Sequence, residues 1–304
     1  MRGRAGAVAL LVLLAAGCGS TAGGGGAPSA AVQAAARERA AAVARAWPGS
    51  PQEQVWRTGY APLDVPPEWL PADAFHDDAD KQAYAAGRLV LTGGLPRTFS
   101  GRAQVRWADG AELSLPLRSA DAVFRGLVAA GKPCGGDCGR PLEVTGAQPG
   151  TREVATSRGR AEIPVWEFAV AGYAAPFVYP AVEGQLPPPD VPRAPQDLEG
   201  VLGAAGPAVS ADGRTLTASV GHGSCERPER AEAYETDAAV VLIALARPTA
   251  GPGTACDAAL RMSPVDFRLE RPLGDRVVLD LWTGAPELPR EGLGGPSQGG
   301  TGGR

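Results

Sequence analysis

The chain has 304 residues, with 29 Lys and Arg against 33 Asp and Glu, for a formal net charge of −4. Such a balance sets aside a nucleic-acid partner, which needs clustered cations, and electrostatic attachment to anionic lipid. Glycine and proline are abundant (42 and 29) but gather in a few stretches that divide the chain.

The N-terminus carries Arg2 and Arg4, then the apolar stretch Ala5 to Leu14. A bilayer span needs roughly 20 apolar residues, so this stretch has the length of a signal-peptide core instead. The small residues Ala15, Ala16 and Gly17 lead directly to Cys18. This run resembles the lipobox of bacterial lipoproteins, with Ala15 where that family most often has Leu. The resemblance implies a signal peptide over 1–17, cleavage before Cys18, and a diacylated Cys18 bearing palmitate-like chains. Two acyl chains anchor a protein stably where one does not. Residues 18–28 are rich in glycine and read as a flexible tether. The expected location is therefore the outer, extracytoplasmic face of the cell membrane. Without the signal's two arginines the formal balance is −6 (27 basic, 33 acidic), which leaves anchoring to the lipid.

Residues 29–182 read as one region. Ser29 caps an expected helix to about Trp47, whose Val32, Ala36, Ala40 and Val43 share one small-residue face. A short helix is expected in "DDADKQAYAAG". "RAQVRWADGAELSLPL" is the clearest hairpin, with Ala103, Val105 and Trp107 on one face and a turn at Asp109-Gly110. Ser119 caps a helix over about 120–130, and the following strands run to about residue 170. These elements predict an α+β N-terminal domain, an antiparallel sheet with packed helices.

The Pro-rich stretch 183–197 reads as a semi-rigid linker. Residues 198–286 show almost no helical periodicity. "RTLTASV", "RAEAYE", "AVVLIALAR", "DFRLE" and "RVVLDLW" are short strands, which predicts a small all-β C-terminal domain. Residues 287–304 read as a Gly-rich tail expected to be disordered. The segments "KPCGGDCGRPLEVTGA", "ATSRGRAEIPVWEFAVAG" and "RPLGDRVVLDLWTGAP" are similar to uncharacterised secreted lipoproteins of actinobacteria. That resemblance bears on architecture and location and brings no activity with it.

Beyond Cys18 there are four cysteines, Cys134, Cys138, Cys225 and Cys256. Outside the cytoplasm they form two disulfides, for which three pairings exist. The adjacent pairings keep each bridge within one region, and chain entropy assigns about 2 and about 3.7 kcal/mol to the short and long loops. "CGGDC" also suggests a redox or copper-handling pair, but it has three intervening residues and lacks a βαβ context.

Only two histidines exist, His76 and His222. Ser224 beside His222 in "GHGSC" does not make a nucleophile elbow. "HDDAD" places Asp77, Asp78 and Asp80 at a helix start, where acidic side chains oppose the helix dipole and need no metal. Trp56, Tyr60, Trp69, Trp107 and Trp166 sit at packing positions rather than in an evident cleft. The expectation is thus no catalytic residue, no cofactor and no metal. The chain reads as a non-catalytic binding or scaffolding lipoprotein with an unknown envelope partner. The alternatives are a hydrolase using scattered carboxylates or a thiol redox or copper carrier.

Overall fold

The computed structural model describes residues 27–63, 70, 74–96, 101–134, 138–192, 194, 198–251, 253–287 and 290–291. Cys18, the signal segment, most of the tether, Trp69 and residues 292–304 lie outside the described residues. Among the described residues there are four helices: α1 (Ala30–Ala46), α2 (Pro51–Thr58), α3 (Asp78–Ala85) and α4 (Ala120–Ala129). Fifteen strands among the described residues make up three sheets. The expected α+β domain followed by a small all-β domain is therefore corrected to a predominantly β chain. Two of the helices have only eight residues, and the longest packs on the C-terminal strands, away from the sheet it precedes.

The first sheet contains β1 (Leu89–Gly94), β2 (Arg102–Trp107), β3 (Glu112–Pro116), β4 (Leu142–Thr156), β5 (Gly159–Val170) and β6 (Phe177–Pro180). Its order is β1-β4-β5-β2-β3, with β6 also on β5. The β2–β3 hairpin turns at Gly110, whose φ of 88° suits glycine. Strand β5 changes its buried face midway. Ala161, Ile163 and Val165 join a core with Tyr60, Trp107 and Val154. Trp166, Phe168 and Val170 then join another, covered by Ala83 of α3 and by Val123 and Phe124 of α4. Each alternation follows the two-residue period of a strand, so one long strand serves two cores.

The remaining strands are β7 (Val201–Leu202), β8 (Ala204–Val209), β9 (Thr215–His222), β10 (Glu226–Glu235), β11 (Ala239–Pro248), β12 (Arg261–Arg268), β13 (Val277–Leu279), β14 (Pro286–Glu287) and β15 (Arg290–Glu291). They form the sheets β10-β11-β13-β14, with β7 on β11, and β12-β9-β8-β15. Strand β11 explains the apolar run "AVVLIALA". Val240, Leu242, Ala244 and Ala246 face Leu216, Val220 and Phe267 of the opposing sheet. Ala239, Val241, Ile243 and Leu245 face the other way, onto Ala36, Ala40 and Val43 of α1. Three layers result: helix, sheet, sheet. Full burial of one such side chain stabilises by about 1.5–3 kcal/mol, so the helix layer is a substantial part of this core.

The Pro-rich stretch runs along the helices. Arg39 of α1 donates to the carbonyl of Pro192 at 2.6 Å, and Gln52 of α2 donates to that of Pro187 at 2.8 Å. Tyr60 and Gln185 exchange two further bonds, at 3.0 and 2.8 Å. Ala194 packs against the core shared by α1 and β11.

Candidate functional site

The four cysteines form disulfides Cys134–Cys138 and Cys225–Cys256, with Cα separations of 5.9 and 5.6 Å, inside the usual range. The second follows from strand pairing. Glu226 opposes Pro248 in the β10–β11 hairpin, and Thr249 N–H donates to the Cys225 carbonyl at 2.8 Å.

The acidic run after His76 builds a helix start. Asp77 caps α3 by accepting from the Asp80 N–H at 2.8 Å. Asp80 then accepts from the Tyr173 hydroxyl at 2.6 Å, and that hydroxyl accepts from the His76 N–H at 3.2 Å. The His76 and Tyr173 rings stack with centroids 4.1 Å apart and planes 2° apart. Burial and the bond to Asp80 raise the Tyr173 phenol above its ordinary pKa, which keeps it a donor. Tyr173 lines a cleft of about 360 Å³ with Gln148 and Glu167. The residues flanking His76, including Phe75, Asp77, Asp78 and Lys81, line another of about 520 Å³. Beneath the stack, Phe177 contacts both Phe75 and Tyr173 edge-on, and the Tyr84 and Tyr179 hydroxyls are hydrogen-bonded to each other. Burial raises both of those phenols.

The other aromatic candidates are packing groups. Trp107 is buried, donates to Thr156 Oγ1 at 2.9 Å and carries the Arg158 guanidinium 4.0 Å over its ring. Trp166 donates to the Arg118 carbonyl at 2.8 Å, Tyr60 is buried, and Trp56 meets Trp47 edge-on.

His222 meets a hydroxyl that the local sequence does not point to. Its Nε2 lies 2.9 Å from Ser263 Oγ, and its Nδ1 lies 2.8 Å from the Gly223 carbonyl. The neighbouring Ser224 is not the partner, since its hydroxyl accepts from the Asp257 N–H at 3.0 Å. Ser263 stands 41 positions along the chain, on β12, and reaches His222 because β12 pairs antiparallel with β9. No local motif could have signalled the pair.

A second missed group is Glu287. Its carboxylate accepts from the Gly206 N–H at 3.1 Å, linking β14 to β8 of the other sheet. Burial, and then the charge of Asp280, push its carboxyl up to about 7. It stands at the edge of the Gly-rich tail, where the local sequence carries no site signal.

No protein-family model matches the chain, and no curated protein or solved structure does either.

Proposed function

We propose that the protein is a lipid-anchored, extracytoplasmic binding or scaffolding protein of the cell envelope, held through Cys18. Its partner docks at the His76–Tyr173 end of the first sheet. The observation that carries this face is the ring stack flanked by two open clefts. His76 is exposed, and the clefts bring carboxylates, a lysine and an amide beside aromatic surface. Aromatic area with convergent polar groups is what recognition sites use. The disulfides support an oxidising location, and the sequence around Cys18 supports the anchor.

Photo-crosslinking in cells tests the docking face. A photoreactive residue at Gln148, exposed beside Tyr173, is expected to capture a defined partner, while one at Arg125 on α4 is not. Equal capture from Arg125, or none from Gln148, sinks the assignment. Cys18→Ser tests the anchor separately: release from the membrane fraction is expected, and full retention of cleaved protein would remove it.

A further inference from the structure

We propose that Ser263 is a nucleophile activated by His222, and that it accepts the acyl group of a carboxylic ester. The inference goes beyond the binding function above and does not rest on it.

The proton arrangement follows from the contacts. The Gly223 carbonyl can only accept, so His222 Nδ1, 2.8 Å away, carries the ring proton. Nε2 then holds the lone pair, and the Ser263 hydroxyl donates to it across 2.9 Å. A hydroxyl donating into the lone pair of an oriented imidazole is the starting state for general-base activation of a nucleophile. The carbonyl here fills the orienting role of a third group.

The pair is also held rigidly. Both residues are half-buried on paired strands, and the turn after His222 is fixed on two sides. Gly223 N–H donates to Glu226 Oε1 at 3.1 Å, and Cys225 is bridged to Cys256. Asp257, next to that bridge, is paired with Arg261, which stands opposite His222 in the strand register. Precise sites are built on elements held in this way rather than on free loops. Both side chains keep part of their surface at solvent, so the pair is open to an ester approaching from outside.

In the step, Ser263 Oγ bonds to the carbonyl carbon while its proton passes to His222 Nε2. The alcohol oxygen leaves with that proton, and water then releases the acid and restores the serine.

The test uses the full folded chain and p-nitrophenyl acetate, followed by peptide mapping. Acetylation of Ser263 is expected, with stoichiometric early release of nitrophenol. Ser263→Ala should abolish both, and His222→Gln should slow acylation by about 100-fold or more. One control needs no variant: acylation should vanish in urea. Absence of acetyl-Ser263 in native protein would overturn the proposal. So would equal acylation in urea, or an unchanged rate in folded His222→Gln.

Discussion

Arg39 reaches Leu281 across 242 positions of chain, and its Nε donates to that carbonyl at 2.9 Å. The same guanidinium donates to the carbonyls of Pro192 and Trp282, both at 2.6 Å. One side chain, only 5% exposed, thus joins α1 to the Pro-rich stretch and to the turn after β13. Arg39→Ala would leave three carbonyls without this donor. A loss of about 2–4 kcal/mol is expected, read as a lower midpoint in urea unfolding. A change below about 0.5 kcal/mol would mean that water replaces the guanidinium.

Helix α1 covers one face of strand β11, which lies far along the chain. A fragment of residues 198–291 keeps both C-terminal sheets but uncovers Val241, Ile243 and Leu245. It should bind a hydrophobic dye and lack a cooperative thermal transition. Joining residues 27–47 to it through a flexible linker should restore that transition. Cooperative unfolding of the bare fragment would show that the inter-sheet core suffices.

These contacts mark how far the sequence could be read. Local signals were legible: Ser29 and Ser119 cap α1 and α4, Gly110 turns the β2–β3 hairpin, and adjacent cysteines pair. Helix α2 was missed although Ser50, Pro51 and Glu53 carry its start signal. Ser50 accepts from the Glu53 N–H, and Glu53 accepts from the Gly49 N–H. The destination of α1 was not legible at all. An alanine face fits many sheets, and only the two-sided burial of β11 selects this one. The Ser263–His222 pair and the Gly206–Glu287 link were hidden for the same reason, since each depends on strand pairing or sheet packing.

The Cys225–Cys256 bridge closes a long loop behind the β10–β11 hairpin. Loop entropy gives about 3.7 kcal/mol as its contribution to stability. The double variant Cys225→Ser/Cys256→Ser should unfold at lower temperature, while the corresponding change at Cys134 and Cys138 should cost less, about 2 kcal/mol. Calorimetry of both variants decides. A larger loss from the short loop would reverse the expected order.

Glu287 gives the last prediction its sign. Its carboxyl titrates near 7 in the folded chain, first through burial and second through the charge of Asp280, against an ordinary 4.5. Between those values the folded state keeps a proton that the unfolded state has released. Its contribution is therefore fully present below about 4.5, falls as pH rises toward 7, and is flat above. After discounting for partial exposure, the loss is about 1–2 kcal/mol. Other carboxylates titrate over the same range, so the informative quantity is a difference between two proteins. Glu287→Gln cannot ionise and keeps an oxygen to accept from Gly206 N–H. From about pH 5 to about pH 8 it should gain about 1–2 kcal/mol on the parent chain in urea unfolding. Asp280→Asn should recover a smaller part, because burial is the larger cause. A constant difference across that range would place the Glu287 carboxyl at its ordinary value and remove it as a pH-dependent link between the two sheets.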